Sequence, residues 1–173
     1  MVYIETERLI LREFALTDNI GMFELDSDVE VLKYLHQKPF TSIDQACEVI
    51  NSILQQYKDN GIGRWAVIEK ASNQFVGWSG LKLITENINN HINYYDVGYR
   101  LLKKFWGRGY ATESAKAALD YGFDVLSADT IYGMCHIDNQ GSKKVLEKLG
   151  LHYVKTFDHQ GIPYKWFKIE KNK

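Results

Sequence analysis

The chain has 173 residues, of which 45% are hydrophobic, 25% charged and 13% aromatic, which suits one globular domain over 1–173 and excludes a disordered polymer. A formal net charge of −1 excludes a general nucleic-acid binder, so any anion site must be a local concentration of positive potential. No stretch reaches the roughly 18 apolar residues of a membrane span, and Glu5, Glu7 and Arg8 stand where a signal peptide needs an apolar run. The expectation is a cytoplasmic protein with no membrane partner, carrying Cys47 and Cys135 as two reduced, buried thiols.

In chain order, "RLILREF" (8–14) reads as a strand, and "LTDNIGMFELDSD" follows as a short helix capped by Thr17 or Asp18. "DVEVLKYLH" (28–36) places Val29, Leu32 and Leu35 at helical spacing. The segment 41–61 is the best-marked early helix. Ser42 and Gln45 form a capping-box pattern, Ile43, Ala46, Ile50, Ile53, Leu54 and Tyr57 form an apolar stripe, and Gly61 ends it. The period then changes to strands: "RWAVIE" (64–69) and "QFVGWSGLKLI" (74–84) around the turn "KASN", then "YYDVGYRLL" (94–102). A glycine-containing turn leads into a helix at about 110–126, followed by strand 130–137 and a short helix over 141–150 ended by Gly150. Two strands joined at "HQGIP" close the chain. This order describes an α/β protein whose mixed sheet carries helices on its faces.

The chemistry concentrates at "RLLKKFWGRGYAT" (100–112). Gly107 and Gly109 allow a sharp turn and close approach of a ligand to the backbone. The helix that follows offers unpaired N–H groups and a partial positive charge. Arg100, Lys103, Lys104 and Arg108 add cations with no acid among them, so the turn reads as a phosphate-binding nest. Ala111, Ala115, Ala118, Leu119, Gly122 and Leu126 give the helix a small-residue face that lets it lie close to the sheet. A nucleotide P-loop pattern is absent, and the dinucleotide fingerprint would need a glycine where Thr112 stands.

These residues resemble the GNAT N-acetyltransferase superfamily, in its branch of ribosomal-protein N-terminal acetyltransferases. "WGRGYA" (106–111) matches the later positions of the acetyl-coenzyme A motif, with Trp106 in place of its usual first residue. "TERLILREF", "VGWSGL", "DVGYRLLKKFWGRGYATESAKAALDYGF" and "NQGSKKVLEKLGL" extend the likeness nearly end to end.

The resemblance implies a central, mostly antiparallel sheet in which the strand before the turn and the strand after the helix form a parallel pair that splays apart. Acetyl-CoA would be the co-substrate, with no metal. Its pantetheine arm would lie in the opening and pair with backbone groups around Tyr99, Leu101 and Leu102. The N–H groups of Gly107, Arg108, Gly109, Tyr110, Ala111 and Thr112 would hold the pyrophosphate, Arg108 and the nearby lysines could meet the adenosine phosphate, and Trp106, Asn139 and Ser142 would complete the cofactor site.

Direct attack of an amine on the thioester needs a proton acceptor, a donor for the oxyanion and a donor for the leaving sulfur. Asp96 is the candidate acceptor, set against a plain carboxylate or a salt bridge to Arg100. The oxyanion donor is expected near Val97 or Gly98, where a bulge would serve. Ser142 is the candidate donor to sulfur, because Leu146 stands where many relatives carry Tyr; a helix cap at Asn139 with Ser142 in the first turn is the plainer reading. His136 is expected as a packed core imidazole, and His36, His91, His152 and His159 make no metal pattern. Asp26, Asp28 and Glu30 beside Tyr34 could draw a cationic amine. The expected acceptor is a protein N-terminal α-amine. Polyamines, amino acids or amine drugs are the alternative, as is a silent acetyl-CoA sensor, and a homodimer is possible.

Overall fold

The structure, a computed structural model, describes residues 3–171. Residues 1–2 and 172–173 of the expected 1–173 unit lie outside them. Among the described residues, eight strands form one open sheet in the order β1-β2-β3-β4-β5-β6-β8-β7. They are β1 (Tyr3–Glu5), β2 (Leu9–Arg12), β3 (Trp65–Glu69), β4 (Gln74–Ile84), β5 (Tyr94–Leu101), β6 (Thr130–His136), β7 (His152–His159) and β8 (Ile162–Glu170). The helices are α1 (Asn19–Ser27), α2 (Val29–Leu32), α3 (Ile43–Asn60), α4 (Tyr110–Asp124) and α5 (Gln140–Lys148). Neighbouring strands are antiparallel except β5 and β6, which run parallel and are joined through α4.

Local chemistry explains most boundaries. The Gln45 side chain accepts from the N–H of Ser42 at 3.1 Å and of Thr41 at 2.7 Å, tying off the start of α3. At its other end Gly61 takes φ 67° and donates to Tyr57 C=O. The turn between β7 and β8 has positive φ at both Gln160 and Gly161, the twist that matches a two-residue hairpin. The second helix is shorter than its spacing suggests: Leu35 N–H bonds Leu32 C=O and His36 turns to φ 51°, so the ladder stops after one turn. The Asp18 carboxylate turns back to Ala15 N–H and to both Nη atoms of Arg12, so it braces the loop instead of capping α1. β1 was absent from the sequence reading.

The sheet is covered on both faces. Along β5, odd and even side chains point oppositely. Val97 and Leu101 face α4 and α5, whereas Arg100 faces α1 and pairs with Asp26 at 2.6 Å. Helix α4 lies flat because Ala115, Ala118, Leu119 and Gly122 are buried; a Cβ on Gly122 would come within 2.6 Å of Leu81 and Ile131. Leu146 of α5, 1% exposed, fills the space over Gly133. Cys135 is buried in this core, which pushes its thiol up to about 11, but Cys47 is only partly buried, against expectation.

Candidate active site

The parallel pairing of β5 with β6 covers only Tyr95↔Ile131 and Asp96↔Tyr132, after which the two strands part. β5 pairs with β4 without a bulge from Tyr94↔Ile84 to Leu101↔Gly77, and Leu102 N–H extends that ladder to Val76 C=O at 2.9 Å. Hydrogen-bonded and non-hydrogen-bonded pairs alternate. Asp96, Gly98, Arg100 and Leu102 therefore turn their main-chain groups toward β4, and Val97, Tyr99 and Leu101 toward β6. Ile137 N–H donates to Pro163 C=O in continuation of the β6–β8 register, so Met134 and His136 turn theirs toward β5. Beyond Tyr132 the backbone groups of Tyr99 and Met134 look into an opening with no strand between them.

This corrects two expectations. Both backbone groups of Leu102 are engaged, its N–H with Val76 and its C=O with Phe105 N–H at 2.9 Å, so it cannot line the opening. Gly98 forms no bulge and its amide belongs to the β4 ladder, so the strand donor beyond the parting point is Tyr99 N–H. Leu101 keeps its N–H toward the opening, but its C=O accepts the Trp106 indole N–H at 2.8 Å.

The opening leads to the start of α4. Gly107 and Gly109 adopt φ 74° and 81° around Arg108, a left-handed geometry that glycine enters freely. The first α4 bond is Glu113 N–H to Gly109 C=O at 3.0 Å, and no side chain caps the helix. Among the described residues, nothing accepts from the amides of Gly107, Arg108, Gly109, Tyr110, Ala111 or Thr112. Six successive donors, with open space around Gly107, make an anion cradle.

The cations divide differently from the sequence reading. Arg100 belongs to the other face, and Lys103 and Lys104 reach toward Glu30 and Glu24. Arg108 stays beside the cradle, over the Phe105 ring that Lys104 also reaches, and lies 3.5 Å from Glu69. Arg8, which the sequence reading missed, joins it. Its guanidinium donates to Arg108 C=O at 2.9 Å and to Glu113 at 2.7 Å, and lies over the Tyr110 ring. Glu113 also accepts from Thr6 and from Arg8 N–H. Burial pushes the Glu113 carboxyl up, but these donors outweigh it and hold it below the usual range. The Tyr110 hydroxyl donates to Glu69 at 2.5 Å and pins the first turn to β3.

On the α4/α5 side, Asn139 caps α5 by accepting from Ser142 N–H at 3.0 Å. The Tyr99 side chain spans from β5 to that helix, its hydroxyl 2.9 Å from Ser142 C=O and 3.1 Å from Ser142 Oγ. On the opposite side, Asp96 is buried and pairs with Arg64, not Arg100. Arg64 also donates to Gly80 C=O and Asp96 C=O, at 2.5 Å each, so it staples β4 to β5 where β6 departs. Burial pushes the Asp96 carboxyl up and Arg64 opposes it. Among the described residues Asp96 Oδ1 has no hydrogen-bond partner. Trp78 lies beneath both Arg64 and Arg100.

His136 is a packed imidazole, its side chain 12% exposed. It lies on the α1–α3 side of β6, stacks on Tyr34 with centroids 5.7 Å apart, and meets His36 at 5.4 Å. Asp138 N–H donates to its Nδ1 at 3.2 Å. The acidic run is already engaged: Asp26 pairs with Arg100, Asp28 caps α2 through Glu30 N–H, and Glu30 faces Lys103.

A family model for the acetyltransferase (GNAT) domain matches residues 8–152. The chain belongs to the GNAT acetyltransferase family. It is 32% identical over 162 residues to an uncharacterized N-acetyltransferase p20 of Bacillus licheniformis, covering 94% of this chain and 85% of the relative. A GNAT-family acetyltransferase from Bacillus anthracis superposes with TM-score 0.81 at 27% identity, covering 98% of each chain. A ribosomal L7/L12 α-N-protein acetyltransferase in complex with coenzyme A superposes with TM-score 0.81 at 17% identity, again over 98% of each. The protein is accordingly an acetyl-CoA-dependent N-acetyltransferase.

Its residues fit that co-substrate. The unpartnered amides of 107–112 suit a diphosphate, and the unpaired Tyr99 groups suit an amide-bearing arm.

Proposed function

We propose that this acetyltransferase acts on the α-amine of a peptide or protein N-terminus, and that the amides of Gly107 to Thr112 together with Tyr99 hold acetyl-CoA. The observation that carries the choice of acceptor is the Asp26–Arg100 pair, whose side chains are only 6% and 14% exposed. A polyamine carries several charges and calls for several unengaged carboxylates. Here the buried carboxylate of the run, Asp26, is taken up by Arg100, and Arg64 and Arg100 flank Trp78 on the same face. That face suits one amine followed by neutral main chain.

Bound acetyl-CoA supplies the thioester carbonyl. Tyr99 N–H is the strand donor placed to polarise it. Asp96 Oδ1 takes the amine proton, directly or through a water, and burial brings its carboxyl closer to an amine than an ordinary aspartate. The Ser142 hydroxyl, in the first turn of α5, offers a hydrogen bond to the departing sulfur, and the helix start favours negative charge there. Thiol release measured with defined N-terminal peptides beside spermidine tests the acceptor. Faster turnover of the peptides is expected; a higher kcat/KM for spermidine than for every peptide would overturn the proposal.

A further inference from the structure

Gly133 and Cys135 of β6 belong to the core beneath α4 and α5, so Tyr132, Met134 and His136 project from the opposite face, the one that carries Asp96 and Arg100 on β5. Register continues that face across the sheet. Met134 lies opposite Trp166 of β8, His136 lies opposite Tyr164, and the Phe157 ring of β7 is 5.4 Å from that of Trp166. Together these six residues make an aromatic floor with a thioether in its middle. We propose that this floor receives the side chain of the acceptor's first residue, and that Met134 is a specificity-determining residue selecting an uncharged, apolar one such as Met, Leu or Phe. This rests on the N-terminal α-amine reading above and names the class of N-terminus within it.

Register sets the location. Asp96 pairs with Tyr132 in the last parallel step before β5 and β6 part. An amine held at Asp96 Oδ1 therefore has Tyr132 beside it, and Met134 is the next residue along β6 on the same face. Tyr132 and His136 are about 13 Å apart along the strand, and a ring covers each of them. His91, held by the Ile88–His91 bridge, lies over Tyr132 with centroids 4.9 Å apart. Tyr34 stacks on His136 at 5.7 Å. Between the two covers Met134 stays only partly buried, against a Trp166 that is 1% exposed.

Chemistry selects the occupant. A thioether and aromatic rings are polarisable and gain contact energy from apolar atoms. Aromatic faces also attract cations, but none of the six floor residues is acidic. A second ammonium seated there would give up water with no countercharge on the floor, and the buried carboxylate at its edge, Asp96, is the one assigned to the reacting amine. An apolar side chain carries no such cost.

The test measures kcat/KM by thiol release for peptides identical except for a first residue of Ala, Leu, Phe or Lys, with spermidine alongside. Calorimetry reads the Kd of the same peptides with coenzyme A present. Wild type should favour the Leu- and Phe-first peptides over the Ala-first peptide by about tenfold in both quantities, as half-burying such a side chain implies. Met134→Glu puts a carboxylate on the floor and should place the Lys-first peptide ahead of the Leu-first one, with Kd for coenzyme A alone within about twofold of wild type to show that the fold is kept. Met134→Gln, close in size, keeps the test decisive if the glutamate variant does not fold: it should narrow the preference for Leu over Ala. Equal kcat/KM for the Ala-, Leu- and Phe-first peptides, a Lys-first peptide ahead in wild type, or a ranking that neither variant moves would overturn this inference, and peptides still ahead of spermidine would leave the α-amine reading standing. Spermidine ahead of every peptide would bring down both.

Discussion

Replacing Gly109 by glutamate should remove coenzyme A binding while leaving a folded protein. Gly109 sits at φ 81°, in a region that costs an L-residue about 1–2 kcal/mol. A Cβ there meets only Arg8 Nη2, at 3.4 Å, so no backbone has to move. The strain should lower Tm by about 2–8 °C for a chain of this size. The effect on binding is larger. The carboxylate projects into a cradle whose amides have no other acceptor, repels the diphosphate and draws Arg8 from Arg108 C=O. Losing two charge-assisted hydrogen bonds at about 1.5–3 kcal/mol each weakens Kd by more than about 100-fold. Isothermal calorimetry with coenzyme A, beside a thermal melt, reads both quantities. Gly109→Ala, with the strain but no charge, should lose far less affinity. A Gly109→Glu protein that melts as expected and binds within about threefold of wild type would refute the placement of the phosphate, since two lost charge-assisted hydrogen bonds require a larger loss.

Arg8→Ala should raise Kd for coenzyme A without a matching loss of kcat, because Arg8 holds the turn at Arg108 and pairs with Glu113 of α4; an unchanged Kd would show the turn to be rigid without it. Gly98→Ala puts a Cβ within 2.7 Å of Arg64 Nη2, so it should free Asp96 from its partner and change the pH–rate profile at unchanged Kd for coenzyme A. An unaltered profile would separate Arg64 from the chemistry. For Asp96 the sign is set by burial: the acid limb of the pH–rate curve should lie above the ordinary aspartate range, with rate lost as pH falls through it. Asp96→Asn should abolish that limb, and its persistence would remove Asp96 as proton acceptor. Glu113 has a depressed carboxyl, so the stability it contributes is present above the usual glutamate value of about 4.3 and lost as pH falls through the native value. Denaturation at stepped pH should show Glu113→Gln lacking that loss; a curve parallel to wild type would contradict it.

The site was legible in the sequence wherever it is contiguous. "WGRGYA" and the small face of α4 carry their geometry in the spacing of neighbouring residues, and Gln45 and Gly61 likewise mark the ends of α3. Contacts set by strand register were not legible. Arg100 was offered as the partner of Asp96, but residues i and i+4 of a strand lie about 13 Å apart along it, while Arg64 arrives from the start of β3. Arg8 and Glu113 meet across 105 positions, and His36 and His136 bring their rings within 5.4 Å across 100 positions. The missing Leu102 contact has the same origin: parity along β5 decides which amides face the opening, and parity needs one observed ladder bond to fix it.

The account depends on where a diphosphate and its thiol end lie. A crystal structure of the protein with coenzyme A measures both. The account predicts the diphosphate within hydrogen-bond distance of the Gly107 to Thr112 amides, the arm beside Tyr99 N–H, and the sulfur against Ser142 Oγ. A complex with the diphosphate elsewhere, or with the arm outside the opening between β5 and β6, would contradict it.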